Sequence, residues 1–278
     1  MGKKISVAVI ISTYNWPLAL GLVLDSIAMQ TLQPDEIIIA DDGSDKKTAD
    51  LINLYRQRLA LPLKHSWHQD KGFQKTIILN EAIAGTNCDY IIQIDGDIIL
   101  ERNFIKDHIN EAERGFFISG SRVLLSESKT SDLQNINSVK NISFFSSKIS
   151  NRFNSIRLPF LKNIFTKHQR RSDGFRGCNC AFWREDFLQV NGYNHNITGW
   201  GHEDIELAAR FINLGLMQKK LKMIAVCYHL YHPLADRNNE NVNYKKYLET
   251  VKSGLPYCVN GYNNVLKNKT ALFVEVPN

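Results

Sequence analysis

The first 120 residues of this 278-residue chain alternate between short apolar runs and stretches with a helical pattern. A continuous β-branched run is typical of a strand buried on both faces, and apolar residues at three- and four-residue steps are typical of an amphipathic helix. The predicted strands are 5–11, 36–40, 61–67 and 90–94, and the predicted helices are 17–29, a segment capped by Asp45, and 74–84. Strands that alternate with helices in this way predict an α/β fold with a mostly parallel central sheet flanked by helices.

Polar residues follow three of the predicted strands. Ser-Thr-Tyr-Asn at 12–15 follows the first strand, Asp41 and Asp42 follow the second, and Asp95-Gly96-Asp97 follows the fourth. The carboxyl ends of parallel strands lie at one edge of the sheet, where ligands of such folds bind. Asp-Gly is also a common turn pair, but three polar clusters at one edge favour a ligand site. The two carboxylates of the last cluster suit a hard cation such as Mg²⁺ or Mn²⁺, which usually shares its ligands with substrate phosphates.

Composition narrows the class of protein. The hydrophobic and charged fractions, 44% and 22%, are ordinary for a globular protein. No apolar run approaches the roughly 18 residues of a membrane span, and the N-terminus lacks the cleavage site of a secretory signal. Five cysteines without a paired framework indicate reduced thiols, so we expect a cytoplasmic protein. The net charge of +6 favours anionic partners such as nucleotide phosphates or acidic lipids.

Residues 123–172 interrupt the alternation, and no acidic residue occurs between Asp132 and Asp173. Apolar residues recur in this segment at three- or four-residue steps, and Pro159 divides the pattern into two short helical pieces. These apolar residues are Ile149, Phe153, Ile156, Phe160 and Ile164. The mixture of basic and apolar residues over 148–171 predicts a peripheral contact with an anionic membrane, a mobile lid or a dimer face.

Regular structure is predicted again after residue 174. We expect helices over 186–190 and 203–214, the second ended by Gly215, and a strand over 221–228. The sequence Gly-Trp-Gly-His-Glu-Asp at 199–204 forms a turn that leads into the second helix. Its two carboxylates therefore lie at a helix N-terminus, where the helix dipole favours the ionised form.

These motifs resemble those of an inverting, family-two glycosyltransferase with the GT-A fold, a Rossmann-like α/β fold. The resemblance rests on residues 9–15, 41–44 and 95–97, in this order. Residues 199–204 resemble the C-terminal galactosyltransferase-type segment of a subset of that family. The implied organisation is a nucleotide-sugar-binding half at 1–122, a basic insert or lid at 123–172, an acceptor-binding and catalytic-base half at 173–235, and a C-terminal extension at 236–278.

The resemblance implies a binding site for a UDP-sugar donor. The implied donor-binding residues are Thr13, Tyr14, Asn15, Asp41, Asp42, Gln74, Lys75, Asp95 and Gly96. Of the two adjacent aspartates, Asp42 is preferred as the acceptor for the uracil imide N–H. Gln74 stands where family members often carry Arg, so Lys71 or Lys75 would supply positive charge for the diphosphate. Asp95 would face the sugar or the ribose.

The resemblance also implies a metal site and a catalytic base. Asp97 would hold Mn²⁺ or Mg²⁺ with His229 or His232, and His229 is preferred because it directly follows the late strand. Asp204 would act as the general base that takes the proton of the acceptor hydroxyl. The implied acceptor-binding residues are Asn179, Trp200, Gly201 and Glu203.

We therefore expect a metal-dependent inverting glycosyltransferase that moves a hexose or N-acetylhexosamine from a UDP-sugar to a glycan or lipid-linked acceptor in bacterial surface polysaccharide synthesis. The expected location is the cytoplasm or the inner face of the cell membrane. The alternatives are a sugar nucleotidyltransferase, although the first strand does not end in a Gly-rich basic loop, and an inactive carbohydrate-binding protein of the same fold. No Gly-x-Gly-x-x-Gly follows the first strand, which argues against a dinucleotide oxidoreductase. Nucleic-acid binding would explain the basic stretch alone, so no nucleic-acid partner is expected.

Overall fold

The computed structural model describes residues 4–136, 142, 144–233 and 237–267. Lys140 of the basic segment, residues 234–236 and residues 268–278 of the predicted extension lie outside the described residues. In chain order the strands are β1 (Val7–Thr13), β2 (Glu36–Asp41), β3 (Leu63–Trp67), β4 (Tyr90–Asp95), β5 (Ile98–Leu100), β6 (Phe116–Ser119), β7 (Val123–Leu125), β8 (Ile149–Ser150), β9 (Lys167–Gln169), β10 (Asn179–Trp183), β11 (Met217–Lys220) and β12 (Cys227–His229). The α-helices are α1 (Pro17–Ala28), α2 (Lys46–Arg58), α3 (Lys75–Ala84), α4 (Phe104–Glu111), α5 (Glu127–Ile136), α6 (Lys162–Phe165), α7 (Arg184–Gln189), α8 (Glu203–Asn213) and α9 (Glu240–Ser253).

One eight-stranded sheet combines strands from both halves of the chain, in the order β3-β2-β1-β4-β10-β6-β11-β9. The four strands β3, β2, β1 and β4 are parallel to one another. β10 is antiparallel to both β4 and β6, whereas β11 is parallel to β6. The α/β prediction is confirmed, and the antiparallel β10 marks where the sheet departs from a parallel arrangement.

The register of β1 brings the polar residues of three strands side by side. Thr13 pairs with Asp41 of β2, and Ser12 pairs with Asp95 of β4. β1 is buried on both faces, as its β-branched run predicts: Val9 belongs to the core cluster that includes α1, and Ile10 belongs to the cluster that includes α3 and α8. The hydrophobic core therefore supports the carboxyl ends of β1, β2 and β4.

A second sheet, in the order β5-β12-β7-β8, lies next to the acidic triplet. β12 runs antiparallel to β5 and places His229 opposite Ile98. The backbone N–H of Leu230 donates to the carbonyl oxygen of Asp97 at 3.0 Å. This pairing brings the late histidines to an aspartate that is far away in the sequence.

Three predicted strands have the wrong limits. β3 begins at Leu63, two residues later than the predicted 61–67. β1 begins and ends two residues later than the predicted 5–11, so its last two residues are polar. The predicted strand at 221–228 is replaced by β11 and β12, which lie on either side of a segment without strand structure. The reason is the backbone of Met223 and Ala225, whose φ values of 62° and 50° are left-handed and incompatible with a strand. Neither β10 nor α9 was predicted.

The predicted helices agree better with the structure. Asp45 caps α2, since its side chain accepts a hydrogen bond from the backbone N–H of Lys47 at 3.0 Å. Gly215 follows α8 with a φ of 100°. The basic segment contains the 3₁₀ turns Arg152–Ser155 and Pro159–Leu161 followed by α6, where two short helical pieces were predicted. Across the described ranges, no helix has the length and apolar character needed to cross a bilayer.

Candidate active site

A cavity of about 460 Å³ opens at the carboxyl edge of β1, β2 and β4. Its walls come from the ends of these strands, the start of α3, the turn before α8 and the segment after β12. The lining residues are Ser12, Thr13, Tyr14, Trp16, Asp42, Gly72, Phe73, Lys75, Ile78, Asp95, Gly96, Asp97, Trp200 and His232. Residues from distant parts of the sequence thus meet around one space.

Asp97, His229 and His232 form a group whose ligand atoms all lie within 4.8 Å of one another. Asp97 Oδ2 lies 3.4 Å from Nε2 of His232 and 3.8 Å from Nε2 of His229. Each imidazole makes a 2.7 Å contact from Nδ1 to a backbone carbonyl, that of Leu230 or that of Pro233. Because a carbonyl oxygen only accepts, Nδ1 carries the proton, and in the neutral ring the Nε2 lone pair faces the aspartate.

This group fits a divalent cation. Among the described residues, Asp97 Oδ1 is buried and has no hydrogen-bond partner, so it retains its full capacity to coordinate. Burial raises the pKa of Asp97, an electrostatic cost that a bound cation would offset. Burial lowers the pKa of His229 and so keeps its imidazole neutral, as a metal ligand must be. One carboxylate and two imidazoles suit Mn²⁺ better than Mg²⁺, which prefers oxygen ligands.

Lys75 links the acidic triplet to the first residue of α8. Its Nζ lies 2.8 Å from Asp95 Oδ1 and 3.8 Å from Glu203 Oε1. Burial opposes the charge of Lys75, but the carboxylates of Asp95, Asp204 and Glu203 outweigh it and raise its pKa well above the usual value. Burial alone would raise the pKa of Asp95, but Lys75 and the Ser12 hydroxyl, which donates at 2.7 Å, lower it. Lys75 and Asp95 therefore remain a charged pair at neutral pH.

Glu203 and Asp204 begin α8 in a largely desolvated environment. Burial and the neighbouring Asp204 raise the pKa of Glu203 to about 7. Burial also raises the pKa of Asp204, against the opposing charge of Lys75. Asp204 Oδ2 accepts the backbone N–H of Gly177 at 2.8 Å, whereas its Oδ1 has no hydrogen-bond partner in the part of the chain that the structure describes. A carboxylate with a raised pKa and one uncommitted oxygen is suited to accept a proton.

Asp41 and Asp42 have different surroundings. Asp41 is fully buried, and its Oδ2 lies 2.9 Å from Nε2 of His65. Asp42 lines the cavity. Its Oδ2 accepts the backbone N–H of Gln74 at 2.9 Å, and its Oδ1 lies 2.8 Å from Nε2 of His68. Asp42 is therefore the one of the two that faces a ligand bound in the cavity.

Asn15, Gln74 and Gly201 lie in loops around the cavity without lining it. The Oδ1 of Asn15 accepts the backbone N–H of Asp45 at 2.8 Å and joins two of the loops. Gln74 precedes α3 and contributes the backbone N–H that orients Asp42. Gly201 has a φ of 104°, a conformation that favours glycine and shapes the turn before α8.

Asn179, a predicted acceptor-binding residue, does not line the cavity. The residue is fully buried in β10. Its Nδ2 donates to the carbonyl oxygen of Ser121 at 2.8 Å, and its Oδ1 lies 3.0 Å from Nε2 of His108. These contacts hold β10 in place, and the role of Asn179 in acceptor binding stays a prediction.

Several residues at the site were not identified from the sequence. Ser12 lies within the polar cluster at 12–15 and Phe73 precedes Gln74, and both line the cavity although neither was named as a site residue. Arg122 is a half-buried cation that donates to the Cys178 thiol at 3.1 Å and whose charge reaches Asp204. His68 and Arg122 belong to no motif, and only the three-dimensional arrangement brings them to the site.

Comparison with protein families places the fold and the cavity in a known context. The family model described as Glycosyl transferase family 2 matches residues 8–186, which is more than half of the chain. The chain belongs to glycosyltransferase family 2. It is therefore a transferase that acts on sugars. A second family model, described as the N-terminal domain of galactosyltransferase, matches residues 161–233, which include the turn before α8.

Curated relatives of this family-2 glycosyltransferase include two synthases and a glucosyltransferase. The chain is 23% identical to a chondroitin synthase from Pasteurella multocida (strain Pm70), over 92% of the chain and 28% of that protein. It is 22% identical to a hyaluronan synthase from Pasteurella multocida, over 99% of the chain and 29% of that protein. It is 26% identical to a validoxylamine A glucosyltransferase from Streptomyces hygroscopicus subsp. limoneus, over 73% of the chain and 47% of that protein. The chain thus spans less than half the length of each of these relatives.

Solved structures share the fold of this family-2 glycosyltransferase. S. aureus TarS 1–349 in complex with UDP matches 90% of the chain and 65% of that chain, with a TM-score of 0.59 and 14% identity. GalNAc-T7 with UDP, GalNAc and Mn²⁺ matches 90% of the chain and 48% of that chain, with a TM-score of 0.64 and 13% identity. With the family assignment, these similarities confirm the predicted GT-A fold.

Proposed function

We propose that this family-2 glycosyltransferase is a metal-dependent, inverting enzyme that transfers a hexose or N-acetylhexosamine from a UDP-sugar to a hydroxyl group of a saccharide. The observation that carries the proposal is that Asp42, Lys75, Asp97 and His232 line one cavity at the edge of the sheet. His229 lies beside Asp97 and His232, and the charge of Lys75 interacts with the carboxylate of Asp204, although neither His229 nor Asp204 lines the cavity. Asp42, the group of Asp97, His229 and His232, and Asp204 each fit a different part of the reaction: the nucleobase, the diphosphate and the acceptor.

The donor side of the cleft suits a uridine nucleotide. Asp42 is oriented by two hydrogen bonds and accepts the imide N–H of uracil. Tyr14 and Trp16 line the cavity and offer aromatic faces to the base. Asp95 is held in place by hydrogen bonds from Ser12 and Lys75, and it accepts hydrogen bonds from hydroxyl groups of the ribose or the sugar. Lys75 is already paired with Asp95, so its positive charge acts on the diphosphate together with the negative charge of that carboxylate.

We assign the metal-binding role to Asp97, His229 and His232. A divalent cation bound by them, Mn²⁺ or Mg²⁺, supplies positive charge to the diphosphate leaving group. The chain presents one carboxylate and two Nε2 atoms whose direction is fixed by hydrogen bonds to the carbonyls of Leu230 and Pro233. Such outer hydrogen bonds set both the tautomer and the orientation of a metal-binding histidine.

Asp204 is the proposed general base. The acceptor oxygen forms a bond to the anomeric carbon as the bond from that carbon to the diphosphate oxygen breaks, and UDP leaves with the bonding electrons. The acceptor proton moves to Asp204 Oδ1, the oxygen that lacks a hydrogen-bond partner within the described residues. In-line attack inverts the configuration at that carbon. Trp200, in the turn before α8, lines the cavity and stacks on the acceptor. Glu203 accepts hydrogen bonds from the hydroxyl groups of the acceptor.

The proposed acceptor is a growing glycan or a lipid-linked saccharide of a bacterial surface polysaccharide. The support is the similarity to a chondroitin synthase and a hyaluronan synthase, of which the chain spans 28% and 29%. We retain the division into a donor half at 1–122, an insert at 123–172, an acceptor half at 173–235 and an extension at 236–278. The donor and acceptor halves contribute strands to the same sheet, so they act as two sides of one cleft.

A panel of UDP-sugars with Mn²⁺ tests the proposal, with UDP release and the anomeric configuration of any transferred sugar as readouts. We expect turnover with at least one UDP-sugar, inversion at the anomeric carbon, and loss of transfer but not of UDP binding in Asp204→Asn. Asp186→Asn is a matched control, because Asp186 also carries a buried oxygen without a hydrogen-bond partner among the described residues but lies in α7, away from the cavity. Transfer by Asp204→Asn at the rate of the control would show that the base is wrongly assigned.

We further propose that the basic segment contacts an anionic membrane and places the enzyme at the inner face of the cell membrane, near a lipid-linked acceptor. The side chains of Phe153, Phe160 and Ile164 are exposed by 74%, 77% and 73%. Aromatic and aliphatic side chains with flanking basic residues bind the interface of anionic bilayers. β8, which precedes these residues in the chain, belongs to the sheet that carries His229, so the segment is attached to the sheet next to the metal-binding group.

Liposome co-sedimentation tests the membrane contact. Replacing Phe153, Phe160 and Ile164 by Ser should reduce pelleting with vesicles that contain phosphatidylglycerol. Replacing Tyr244, Leu248 and Val251 by Ser is the matched control, since these residues form another exposed apolar row, on α9. Equal pelleting of both triple variants would refute the contact.

A further inference from the structure

His68 lies behind the cavity, between two carboxylates. Its Nε2 is 2.8 Å from Asp42 Oδ1, and its Nδ1 is 3.6 Å from Glu81 Oε2 on α3. The hydrogen bonds to Asp42 and Glu81 raise the pKa of His68 to about 9, and the nearby Asp70 also feels its charge. The imidazole is therefore positively charged at neutral pH. None of the roles proposed above uses it.

This cation fixes the orientation of Asp42. One carboxylate oxygen faces the N–H of His68, and the other accepts the backbone N–H of Gln74 at 2.9 Å. Both oxygens therefore act as acceptors, and the carboxylate is held in one orientation. Each oxygen retains a second lone pair, so Asp42 is able to accept one more hydrogen bond from a ligand in the cavity.

The orientation of Asp42 matters because pyrimidine bases differ at one ring atom. N3 of uracil carries a hydrogen and donates, whereas N3 of cytosine is an acceptor. A carboxylate held towards this ring atom accepts from uracil but repels the lone pair of cytosine. We propose that His68 is a positioning residue that acts through Asp42 to make the nucleotide site selective for uracil over cytosine. This inference rests on the proposed use of a uridine nucleotide.

His65, in the strand that ends just before His68, supplies a matched control. His65 also pairs with an aspartate, at 2.9 Å from Asp41 Oδ2. Asp41 is fully buried and does not line the cavity. The two His–Asp pairs thus share their chemistry, but only the pair of His68 faces the ligand.

The experiment measures the affinities of UDP and CDP by calorimetry with Mn²⁺ at pH 7.5. The ratio of the two affinities cancels the contributions of the diphosphate and of the metal-binding group, because both nucleotides share these contacts. In the wild type we expect a ratio in favour of UDP. In His68→Ala, which removes the donor at Nε2, the ratio should fall by about tenfold, the effect of losing one charge-assisted hydrogen bond that orients the carboxylate. His68→Gln, whose amide keeps a donor near Nε2, should retain most of the preference, and His65→Ala should match the wild type.

A double-mutant cycle separates positioning from a general effect on folding. Asp42→Asn should lower the UDP preference, and adding His68→Ala to it should change the ratio no further, because His68 acts only through Asp42. A wild-type ratio in His68→Ala, or an additive effect in the double variant, would overturn the role of His68 while leaving the uridine site intact. A wild type that does not distinguish UDP from CDP would overturn both the role and the proposed donor class.

Discussion

Gly177→Ala tests how tightly the fold positions the proposed base. Gly177 donates its backbone N–H to Asp204 at 2.8 Å, and a Cβ atom added to it would lie 2.4 Å from Asp204 Oδ1 and 2.8 Å from Gln93 Nε2. Ordinary contact begins at 3.4 Å, so the carboxylate must retreat by about 1 Å. A displacement of that size costs about 100-fold in rate, or about 2.7 kcal/mol in activation free energy.

The assay is the steady-state rate of transfer at saturating donor, measured with UDP affinity and thermal unfolding on the same samples. We expect the loss to appear in kcat, with UDP affinity unchanged, because the methyl group meets Asp204 and not Asp42 or Asp97. Gly21→Ala in α1 is the matched control, since its Cβ would be 3.7 Å from the nearest atom, an ordinary contact. A folded Gly177→Ala variant with kcat within about threefold of the wild type would refute the positioning argument.

Three further predictions concern pH, a buried ion pair and a helix cap. Transfer should fall as the pH is lowered through about 7, because Glu203, with a pKa of about 7, gains a proton there. The raised pKa of Asp204 should add to the loss as the pH falls further, and a rate that stays constant down to pH 5 would contradict this. Arg210→Ala should destabilise the fold by about 3–5 kcal/mol in denaturant unfolding, because it leaves the buried Glu206 without its counter-charge. In the wild type Glu206 lies 2.8 Å from the guanidinium. Arg114→Ala, which removes an exposed ion pair, should cost less than about 1 kcal/mol. Asp45→Ala should cost about 1 kcal/mol through loss of the α2 cap, and an unchanged unfolding midpoint would remove that cap from the account.

The parallel half of the sheet was predictable because its signals are local. The β-branched run of β1 and the apolar run of β4 each specify a buried strand, and the rule for parallel sheets then places Thr13 and Asp95 at one edge. The metal-binding group was predictable in part, since Asp97 ends the motif and His229 ends β12. The resemblance to a known family supplied the connection between these distant residues.

Other features depend on contacts that leave no local pattern. No strand was predicted near residue 179, yet Asn179 begins β10, which pairs antiparallel between β4 and β6. The strand predicted over 221–228 failed because an apolar run does not reveal the left-handed backbone at Met223 and Ala225. His68 has no motif, and its importance depends on the distance of 2.8 Å to Asp42 from a different loop.

Calorimetry of UDP binding with and without Mn²⁺, on the wild type and on Asp97→Ala, tests the central proposal most directly. That proposal is that one cleft holds a divalent cation and a uridine nucleotide together. We predict that Mn²⁺ strengthens UDP binding to the wild type and has no effect on binding to Asp97→Ala. Wild-type affinity for UDP that is the same with and without Mn²⁺ would contradict the proposed metal site.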